Sequence, residues 1–409
     1  MSGRILAICW DMPPLSGPRA VQVSRTLKHL VPLGWESSVV CFAPRSRRYN
    51  QDEDLARRLQ APAGVRLVPV RSPEERFVFR ALWRIAPPAK LLPDEKWVWI
   101  PAATRAGRRV VHEQRVDRIV SFAQPWSDHL IGRRLHRETG LPWIAHFSDP
   151  WTDSPYLRGT AWQKKIWRRM EADVVRDADA LVFVNAQTAD RVMRNYPDAW
   201  RRKAHVVPHG FDCDDLRTAA PASRDDRLTV VYTGRFYAGI RTPGPLLHAL
   251  ASIRARRRLD DALRLVFVGT EVPADRRLAV ALGLSAVVEF TGRLSFAASA
   301  AWVAAADVLL LIDAPADENL FLPSKLIDYL PAGKPILALT PSRGASADLV
   351  RQLGYPVIAP DEVPAIAAAI ERLLDQRPVK PSPTHAETAA RYDIRRTAAA
   401  FAEILARCA

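Results

Sequence analysis

The sequence has few cysteines and no long hydrophobic run. Its 409 residues include only four cysteines, which lie far apart with no CxxC pair and no nearby histidine pair. This excludes a disulfide framework and gives no indication of a zinc site, so we expect a reduced, cytoplasmic setting. No run of about 18 uncharged apolar residues occurs, which excludes a membrane-spanning helix. The opening MSGRILAICWDMPP fits a first core strand better than a signal peptide.

The sequence also lacks a well-placed acidic pair for a divalent metal, a convincingly placed nucleophile and a recognised nucleic-acid motif. Asp225-Asp226 falls in a polar connector, and Asp52-Glu53-Asp54 falls in a charged loop or helix start. We therefore expect neither a metal nor a nucleic-acid partner. The net charge of +15 and the pI near 10.1 would by themselves suit nucleic acid, an anionic membrane surface or a phosphorylated ligand. An arginine-rich surface without a specific partner is the alternative.

The length and the pattern of apolar runs predict two domains. A chain of 409 residues exceeds what one hydrophobic core usually supports. Strand-like apolar runs alternate with helical patterns in two successive series, which predicts an α/β protein with two Rossmann-like, doubly wound parallel sheets. The predicted boundaries are 1–217 for the N-terminal domain, 218–227 for a linker, 228–384 for the C-terminal domain and 385–409 for a long Ala-rich helix.

One stretch, from Ile312 to Leu339 (IDAPADENLFLPSKLIDYLPAGKPILAL), reads as two apolar strands with a short helix between them. The helix is predicted to begin at Pro323-Ser324-Lys325 and to end at Gly333. Free backbone N–H groups of the first turn, the Lys325 ammonium and the Ser324 hydroxyl all favour an anion, which indicates a phosphate site. An ordinary capped helix is the alternative.

A second anion-binding pattern follows the first predicted strand of the C-terminal domain. Gly234 and Arg235 stand at the end of this strand, and Arg241 ends the loop FYAGIR. Glycine lets the backbone approach a ligand, and two arginines six residues apart on one loop can converge on a single anion. A plain surface loop is the alternative. Because this loop and the Pro323 helix start both belong at the ligand edge of one sheet, we expect them to form one site.

Polar residues also follow the predicted strands of the N-terminal domain. The loop from Pro13 to Pro18, which contains Gly17, comes after the first strand. His146, Ser148 and Asp149 end the strand-like run LPWIAHFSDPW. Because ligands of doubly wound sheets gather at the carboxyl ends of strands, these residues are candidates for a second part of the site.

Two segments favour contact with a membrane surface. Aromatic and basic residues are interleaved from Arg76 to Ile100, a composition typical of interfacial membrane elements. A packed loop-and-helix insertion is the alternative. The helix predicted from Gln163 to Ala180 has a basic first half, which can contact lipid headgroups or form a solvated face. We therefore expect a peripheral contact with anionic membrane.

Taken in order, these segments resemble the retaining, sugar-nucleotide-dependent glycosyltransferases of family 4, of the bacterial surface-polysaccharide type. The matching segments cover nearly the whole chain: PPLSGPRA, HVVPHGFD, YTGRF with Arg241 beyond it, VEFTGRL, ADVLLLID and SKLIDYLPAGKPILAL. Each segment is degenerate, but the ordered set is specific. The resemblance implies the GT-B architecture, with two Rossmann-like domains facing a cleft, the acceptor on the first domain, the nucleotide sugar on the second, and a last helix crossing back to the first.

The resemblance also implies roles for individual residues. Arg235 and Arg241 would hold the donor diphosphate with help from Ser324 and Lys325, and Asp328 would bind the ribose. The segment Gly292, Arg293 and Leu294 would contact the base, and the Gly17 loop would approach the phosphates. The implied donor-binding set is Gly17, Gly234, Arg235, Arg241, Gly292, Arg293, Leu294, Glu318, Ser324, Lys325 and Asp328.

Two departures from the family pattern concern acidic and histidine positions. Where the family often has two glutamates separated by seven residues, this chain has Leu320 and Asp328, and Glu318 replaces the first only if the loop is shifted. The family's histidine after the corresponding strand falls in HFSD, which leaves His146 and Asp149 as alternatives. The expected catalytic residues are Arg235, Lys325, His146 and Asp149.

The function implied is metal-independent, retaining transfer of a hexosyl group to a glycan or polyprenyl-linked glycan, with a UDP-sugar favoured over a GDP-sugar as donor and no further cofactor. The enzyme would work in the cytoplasm, at the inner face of the membrane. A sugar-nucleotide epimerase of the same architecture is the main alternative, and a basic nucleic-acid-binding protein is a remote one.

Overall fold

A computed structural model describes the protein at residues 2–45, 49, 51–58, 64–75, 79, 92–217, 225–237, 239–269 and 272–408. The chain forms two compact units, one of Met1–Gly210 with Ile394–Ala409 and the other of Phe211–Asp393. Most of the predicted linker (218–224) and most of the segment from Arg76 to Ile100 (76–78 and 80–91) lie outside the described residues.

The first unit is built on a parallel sheet. Its strands are β1 (Gly3–Ile8), β2 (Trp35–Phe42), β3 (Val65–Val70), β4 (Arg118–Ala123), β5 (Trp143–Phe147), β6 (Ala180–Phe183) and β7 (Ala204–Val206). Its helices are α1 (Pro18–Leu30), α2 (Glu53–Arg58), α3 (Ile100–Glu113), α4 (Ser127–Thr139), α5 (Ala161–Asp177), α6 (Ala186–Met193) and α7 (Asp198–Arg201). Over the described residues the strand order is β3-β2-β1-β4-β5-β6-β7, which is the order of a doubly wound sheet.

The second unit repeats this plan. Its strands are β8 (Leu228–Thr233), β9 (Leu263–Val268), β10 (Val288–Gly292), β11 (Val308–Ile312), β12 (Ile336–Leu339) and β13 (Val357–Ile358). Its helices are α8 (Asp214–Arg217), α9 (Gly244–Arg254), α10 (Pro273–Ala281), α11 (Phe296–Ala305), α12 (Ser324–Tyr329), α13 (Ala345–Gln352), α14 (Val363–Asp375) and α15 (His385–Ala390). In the described part of this unit the order is β10-β9-β8-β11-β12-β13, again with parallel neighbours.

Burial on both faces of each sheet explains why the strands are nearly continuous apolar runs. Successive side chains of β1 point to opposite faces: Leu6 and Ile8 join one apolar cluster, and Ile5 and Ala7 join another. Every residue of β11, VLLLI, is buried. A parallel sheet covered by helices on both faces requires such strands, and the predicted α/β fold class is confirmed.

The C-terminal segment differs in detail from the single helix predicted over 385–409. It contains two helices, α15 and α16 (Ile394–Arg407), with a break at 391–393. At the break the Tyr392 carbonyl accepts a hydrogen bond from the Phe211 backbone N–H at 2.9 Å. The side chain of His385 bonds the Leu330 carbonyl at 3.1 Å, which fixes α15 in the second unit. Only the chain from Ile394 onward belongs to the first unit.

Candidate functional site

Glycines at the carboxyl ends of β8, β9 and β10 allow three loops of the second unit to lie in contact. Gly234 follows β8 with φ +126°, a conformation that favours glycine. A Cβ atom at Gly269 would lie only 2.0 Å from the Gly234 carbonyl oxygen. The Gly269 N–H donates to the Gly292 carbonyl at 3.0 Å. The predicted positions Gly234 and Gly292 are therefore joined through Gly269, a residue that belongs to none of the predicted motifs.

Lys325 lies directly beside the Gly234 turn. A Cβ atom at Gly234 would lie 2.8 Å from Lys325 Nζ, so this glycine leaves room for the ammonium. Lys325 Nζ lies 3.7 Å from the centroid of the Tyr232 ring. The structure thus brings together two residues, Gly234 and Lys325, that belong to different predicted motifs, because β8 and β11 are neighbours in the sheet.

The Lys325 ammonium is buried without a hydrogen-bond acceptor among the described residues. Burial lowers the pKa of Lys325 well below its ordinary value, the positive charge of Arg241 lowers it further, and Asp313 opposes both effects. A buried, unpaired cation is unfavourable unless an anion neutralises it. The geometry therefore suits an anionic ligand between the Gly234 turn and α12.

The two arginines of the β8 loop are arranged around Tyr237. Arg241 Nη2 donates to the Arg235 carbonyl at 2.7 Å, and the backbone of Tyr237 exchanges hydrogen bonds with that of Arg241 at 3.0 and 2.9 Å. The guanidinium carbons of Arg235 and Arg241 lie 5.8 and 5.3 Å from the Tyr237 ring centroid. The Nε of Arg241 is buried and makes no hydrogen bond within the described residues. Two guanidinium groups on a closed loop next to Lys325 form a concentrated positive region.

Helix α12, which contains Lys325, is too short for its dipole alone to bind an anion strongly. α12 spans six residues, Ser324–Tyr329, and no side chain caps its N-terminus. Tyr329 fixes this helix to the sheet, since its hydroxyl accepts the Thr233 N–H at 2.8 Å and donates to the Leu310 carbonyl at 3.3 Å. An anion at this point would therefore be held mainly by side-chain cations. Ser324 and Asp328 are four residues apart and share one face of the helix.

Asn319 anchors the loop before α12. Its Nδ2 donates to Asp313 Oδ2 at 2.8 Å and to Ser346 Oγ at 3.0 Å, and its backbone pairs with Arg343 and Ala345 at the start of α13. Asp313 also accepts a bond from the Thr340 hydroxyl at 2.8 Å.

The two residues on either side of Asn319 differ in burial. Leu320 is 4% exposed, so a buried apolar side chain occupies the position at which the resemblance led us to expect a glutamate. Glu318 is partly exposed. Of the residues expected to contact the nucleotide base, Arg293 is exposed and Leu294 is partly buried.

In the first unit, the structure separates His146 from Asp149. His146 lies inside β5, only 6% exposed, with its ring against Phe122 and His209 at centroid distances of 5.2 and 5.8 Å. Burial lowers the pKa of His146 to about 3, so the imidazole is neutral. Asp149 lies beyond the strand, where it accepts a hydrogen bond from Gln124 Nε2 at 3.3 Å, and burial raises its pKa.

Gly17 precedes α1 as its N-terminal flanking residue with an ordinary φ of −74°. A Cβ atom there would meet only Asp11 Oδ2, at 4.0 Å. Neither backbone conformation nor crowding within the first unit requires glycine at this position. The neighbouring Arg19 is more informative: it lies in the first turn of α1, is 8% exposed and was not selected from the sequence, where the apolar pattern of the helix concealed it.

No group of three or more His, Cys, Asp or Glu side chains suited to a metal ion occurs in the part of the chain that the structure describes. In that same part, no helix has the length and apolar character needed to span a bilayer.

Comparison with known proteins gives two adjoining domain matches. Residues 19–210 match the glycosyl transferase 4-like domain, and residues 227–376 match glycosyl transferases group 1. No curated protein sequence matches the chain significantly.

Solved structures share the fold at low sequence identity. Sucrose-phosphate synthase from Thermosynechococcus elongatus has 16% identity and a TM-score of 0.73, covering 99% of this chain and 98% of that one. WaaG, a glycosyltransferase involved in lipopolysaccharide biosynthesis, has 16% identity and a TM-score of 0.61, with coverage of 98% and 100%. The UDP-GlcNAc 2-epimerase from Neisseria meningitidis bound to UDP-GlcNAc has 12% identity and a TM-score of 0.61, with coverage of 99% and 100%.

Proposed function

Because the chain is a glycosyltransferase of the GT-B type, we propose that it is a retaining, metal-independent enzyme that transfers a hexosyl group from a UDP-sugar to a glycan or polyprenyl-linked glycan. The observation that carries the proposal is the buried ammonium of Lys325, which has no acceptor among the described residues and lies beside the Gly234 turn. A diphosphate supplies the anionic oxygens that this ammonium lacks.

The donor would bind along one edge of the second unit. Arg235, Arg241 and Lys325 hold the diphosphate, and Ser324 adds a hydroxyl at the start of α12. Asp328, on the same helix face as Ser324, accepts hydrogen bonds from the ribose. Glu318, on the loop before this helix, faces the transferred sugar. Gly292, Arg293 and Leu294 contact the base.

Cationic side chains suit the chemistry of the leaving group. As the bond between the anomeric carbon and the diphosphate oxygen breaks, negative charge grows on the diphosphate. A cation about 4 Å from that charge contributes roughly 4 kcal/mol at an effective dielectric of about 20, before desolvation is subtracted. Two arginines and one lysine placed in advance supply the stabilisation that a divalent metal supplies elsewhere.

The acceptor hydroxyl would attack from the side of the departing diphosphate, so that the anomeric configuration is retained. The new bond joins the acceptor oxygen to the anomeric carbon, the electrons of the broken bond go to the diphosphate oxygen, and that oxygen takes the hydroxyl proton. Asp149 is the better of the two first-unit candidates for orienting the hydroxyl, since it lies beyond the strand and is partly exposed. His146, with a pKa of about 3 and a buried ring, is a poor proton acceptor.

A membrane-linked acceptor is supported by an exposed basic and aromatic surface at the start of α5. Trp162 is 64% exposed, and Lys165 and Arg169 follow it at spacings of three and seven residues on the same helix face. Tyr156, 45% exposed, lies just before the helix. Interfacial aromatics flanked by cations suit anionic headgroups, and this surface supports the proposal that the enzyme works at the inner face of the cytoplasmic membrane.

A panel of nucleotides and nucleotide sugars in a thermal-shift assay tests the donor assignment, since a ligand that binds the folded state raises its stability. We expect UDP and UDP-sugars to raise Tm more than GDP and GDP-sugars, and UMP to raise it least. Equal shifts with UDP and UMP would remove the diphosphate site from the proposal.

A further inference from the structure

Two fully buried tyrosines, Tyr232 in β8 and Tyr329 in α12, connect the parts of the chain that carry the cations of the second unit. Arg235 lies three residues after Tyr232, and Lys325 lies four residues before Tyr329 in the same helix. Each tyrosine side chain contacts the element to which the other belongs. The pair therefore lies between the lysine and the arginine loop that we assign to the diphosphate.

The aromatic face of Tyr232 contacts the Lys325 ammonium. Lys325 Nζ lies 3.7 Å from the ring centroid, inside the distance of about 6 Å within which an aromatic face attracts a cation. Phe236 stacks on the same ring with centroids 4.5 Å apart, and Phe267 meets it at 68° with centroids 5.9 Å apart. These two aromatic neighbours fix the orientation of the Tyr232 ring, and the ring in turn limits where the ammonium can lie.

The hydroxyl of Tyr232 contacts the arginine loop. It donates to the Arg235 carbonyl at 3.3 Å, and Arg241 Nη2 donates to the same carbonyl at 2.7 Å. Burial raises the pKa of Tyr232, which keeps the hydroxyl protonated as a donor. Because a carbonyl oxygen has two lone pairs, these two donors occupy both of its acceptor positions. One side chain thus contacts Lys325 with its ring and the loop of both arginines with its hydroxyl.

Tyr329 makes the reverse connection, from α12 to β8. Its hydroxyl accepts the Thr233 N–H at 2.8 Å and donates to the Leu310 carbonyl at 3.3 Å. Thr233 directly follows Tyr232 at the end of β8. The helix that carries Lys325 is therefore bonded to the strand end from which the arginine loop begins.

We propose that Tyr232 and Tyr329 are positioning residues that hold the Lys325 ammonium and the Arg235–Arg241 loop at a fixed spacing, which makes the site selective for a diphosphate over a single phosphate. This inference rests on the proposed function and deepens it. Two phosphates joined by a bridging oxygen can contact both cationic groups at once, whereas one phosphate is too small to use both fully. Because the spacing is set before the ligand binds, the diphosphate does not have to order the loop and the helix itself.

Calorimetric titration of the full chain with UDP and with UMP tests this role. Tyr232→Phe keeps the ring beside Lys325 and removes the bond to the Arg235 carbonyl. We expect UDP to bind this variant about 2- to 12-fold more weakly, the loss of one neutral hydrogen bond, and UMP affinity to change by less than about twofold. The ratio of UDP to UMP affinity should therefore fall. Tyr329→Phe, which removes the shorter bond to Thr233, should lower the same ratio at least as much.

Tyr355→Phe is the matched control. It removes the hydroxyl of another buried tyrosine of the same unit, one that bonds His385 Nδ1 at 2.8 Å. This variant should lower Tm as the other two do, yet it should keep the wild-type ratio of UDP to UMP affinity. A general loss of stability would change all three variants alike, so the ratio separates positioning from a purely structural role.

A double-mutant cycle with Arg241→Gln tests the shared carbonyl. Because Tyr232 and Arg241 both bond the Arg235 carbonyl, the double variant should lose less UDP affinity than the product of the two separate fold-losses. Fold-losses that multiply, or a Tyr232→Phe variant that keeps the full preference for UDP, would overturn this inference while leaving the diphosphate site in place. A wild-type chain that binds UDP no more tightly than UMP would instead overturn the diphosphate site, and this inference with it.

Discussion

Replacing Lys325 with methionine should stabilise the free protein while weakening its binding of UDP. Methionine keeps a long unbranched side chain beside Tyr232 and removes the buried ammonium. The ammonium has no hydrogen-bond acceptor among the described residues and lies under the influence of Arg241. The buried, unpaired positive charge that lets Lys325 bind an anion thus destabilises the folded protein when no anion is present.

The sign of the stability effect follows from the direction of the pKa shift. The pKa of Lys325 is lower in the folded state, so the unfolded chain binds its proton more tightly. The charge therefore destabilises the folded protein at neutral pH, and the penalty declines as the pH rises through the lowered pKa toward the unfolded value. Loss of the contact with the Tyr232 ring, worth roughly 0.5–2 kcal/mol, offsets part of the gain.

The gain in stability and the loss of UDP affinity in Lys325→Met can each be given an approximate size. For a unit of this length, each kcal/mol gained raises Tm by about 2–4 °C, and we expect a rise of this order in the variant. A hydrogen bond to a charged group contributes roughly 1.5–3 kcal/mol, so UDP should bind about 10- to 150-fold more weakly.

Scanning fluorimetry of the free protein and calorimetric titration with UDP measure both quantities. Lys380→Met, which removes an exposed lysine of the same unit, is the matched control and should change neither. A variant with a lower Tm and unchanged UDP affinity would refute this account of Lys325.

Three further predictions concern other parts of the chain. Arg241→Gln should weaken UDP binding about tenfold or more by removing a charged hydrogen-bond donor, whereas Arg293→Gln should alter the preference for the base, both measured by titration with UDP and GDP. Asp149→Asn should lower kcat about 10- to 150-fold with little change in donor KM, because the charged hydrogen bond that orients the acceptor hydroxyl is lost. Because burial raises the pKa of Asp149, wild-type activity should fall with decreasing pH at a higher pH than for an ordinary aspartate, and a flat profile would contradict this role. Trp162→Ala combined with Lys165→Glu should reduce flotation with anionic liposomes at low salt without changing UDP binding, and equal flotation of both proteins would remove this surface from the membrane proposal.

Most of the fold was predictable because a parallel sheet covered on both faces needs almost continuous apolar strands. β9 and β11 stand out in the sequence for this reason, bounded by loops with Gly, Pro and Asp. The division of the C-terminal segment was not predictable, since α15 and α16 have similar Ala-rich sequences. A tertiary hydrogen bond, from the Phe211 N–H to the Tyr392 carbonyl, marks the break.

The candidate site was predictable as separate motifs and not as an arrangement. Gly234 and Lys325 were selected for their local patterns, but their contact depends on the order of strands in the sheet. Tyr232 and Tyr329 read as ordinary core residues, although one lies under the Lys325 ammonium and the other bonds the end of β8. Asn319 was missed because loop anchoring by a side-chain amide leaves no periodic signal.

The first unit shows the limits of local patterns more clearly. His146 and Asp149 are three residues apart and were interchangeable in the sequence. The structure buries the imidazole within the sheet and leaves the carboxyl group partly exposed beyond it. Arg19 was hidden by the apolar pattern around it, since a buried arginine in a helix is recognisable only once its hydrogen-bond partners are known.

The most direct test of the central claim is the fate of a radiolabelled UDP-sugar incubated with the wild-type enzyme, with and without a fraction of polyprenyl-linked glycans. A glycosyltransferase should release UDP and move the label into the glycan in equal amounts, only when the glycan is present, and Lys325→Met should lose both products together. Conversion of the UDP-sugar to a second UDP-sugar without any glycan would instead show an epimerase and contradict the account.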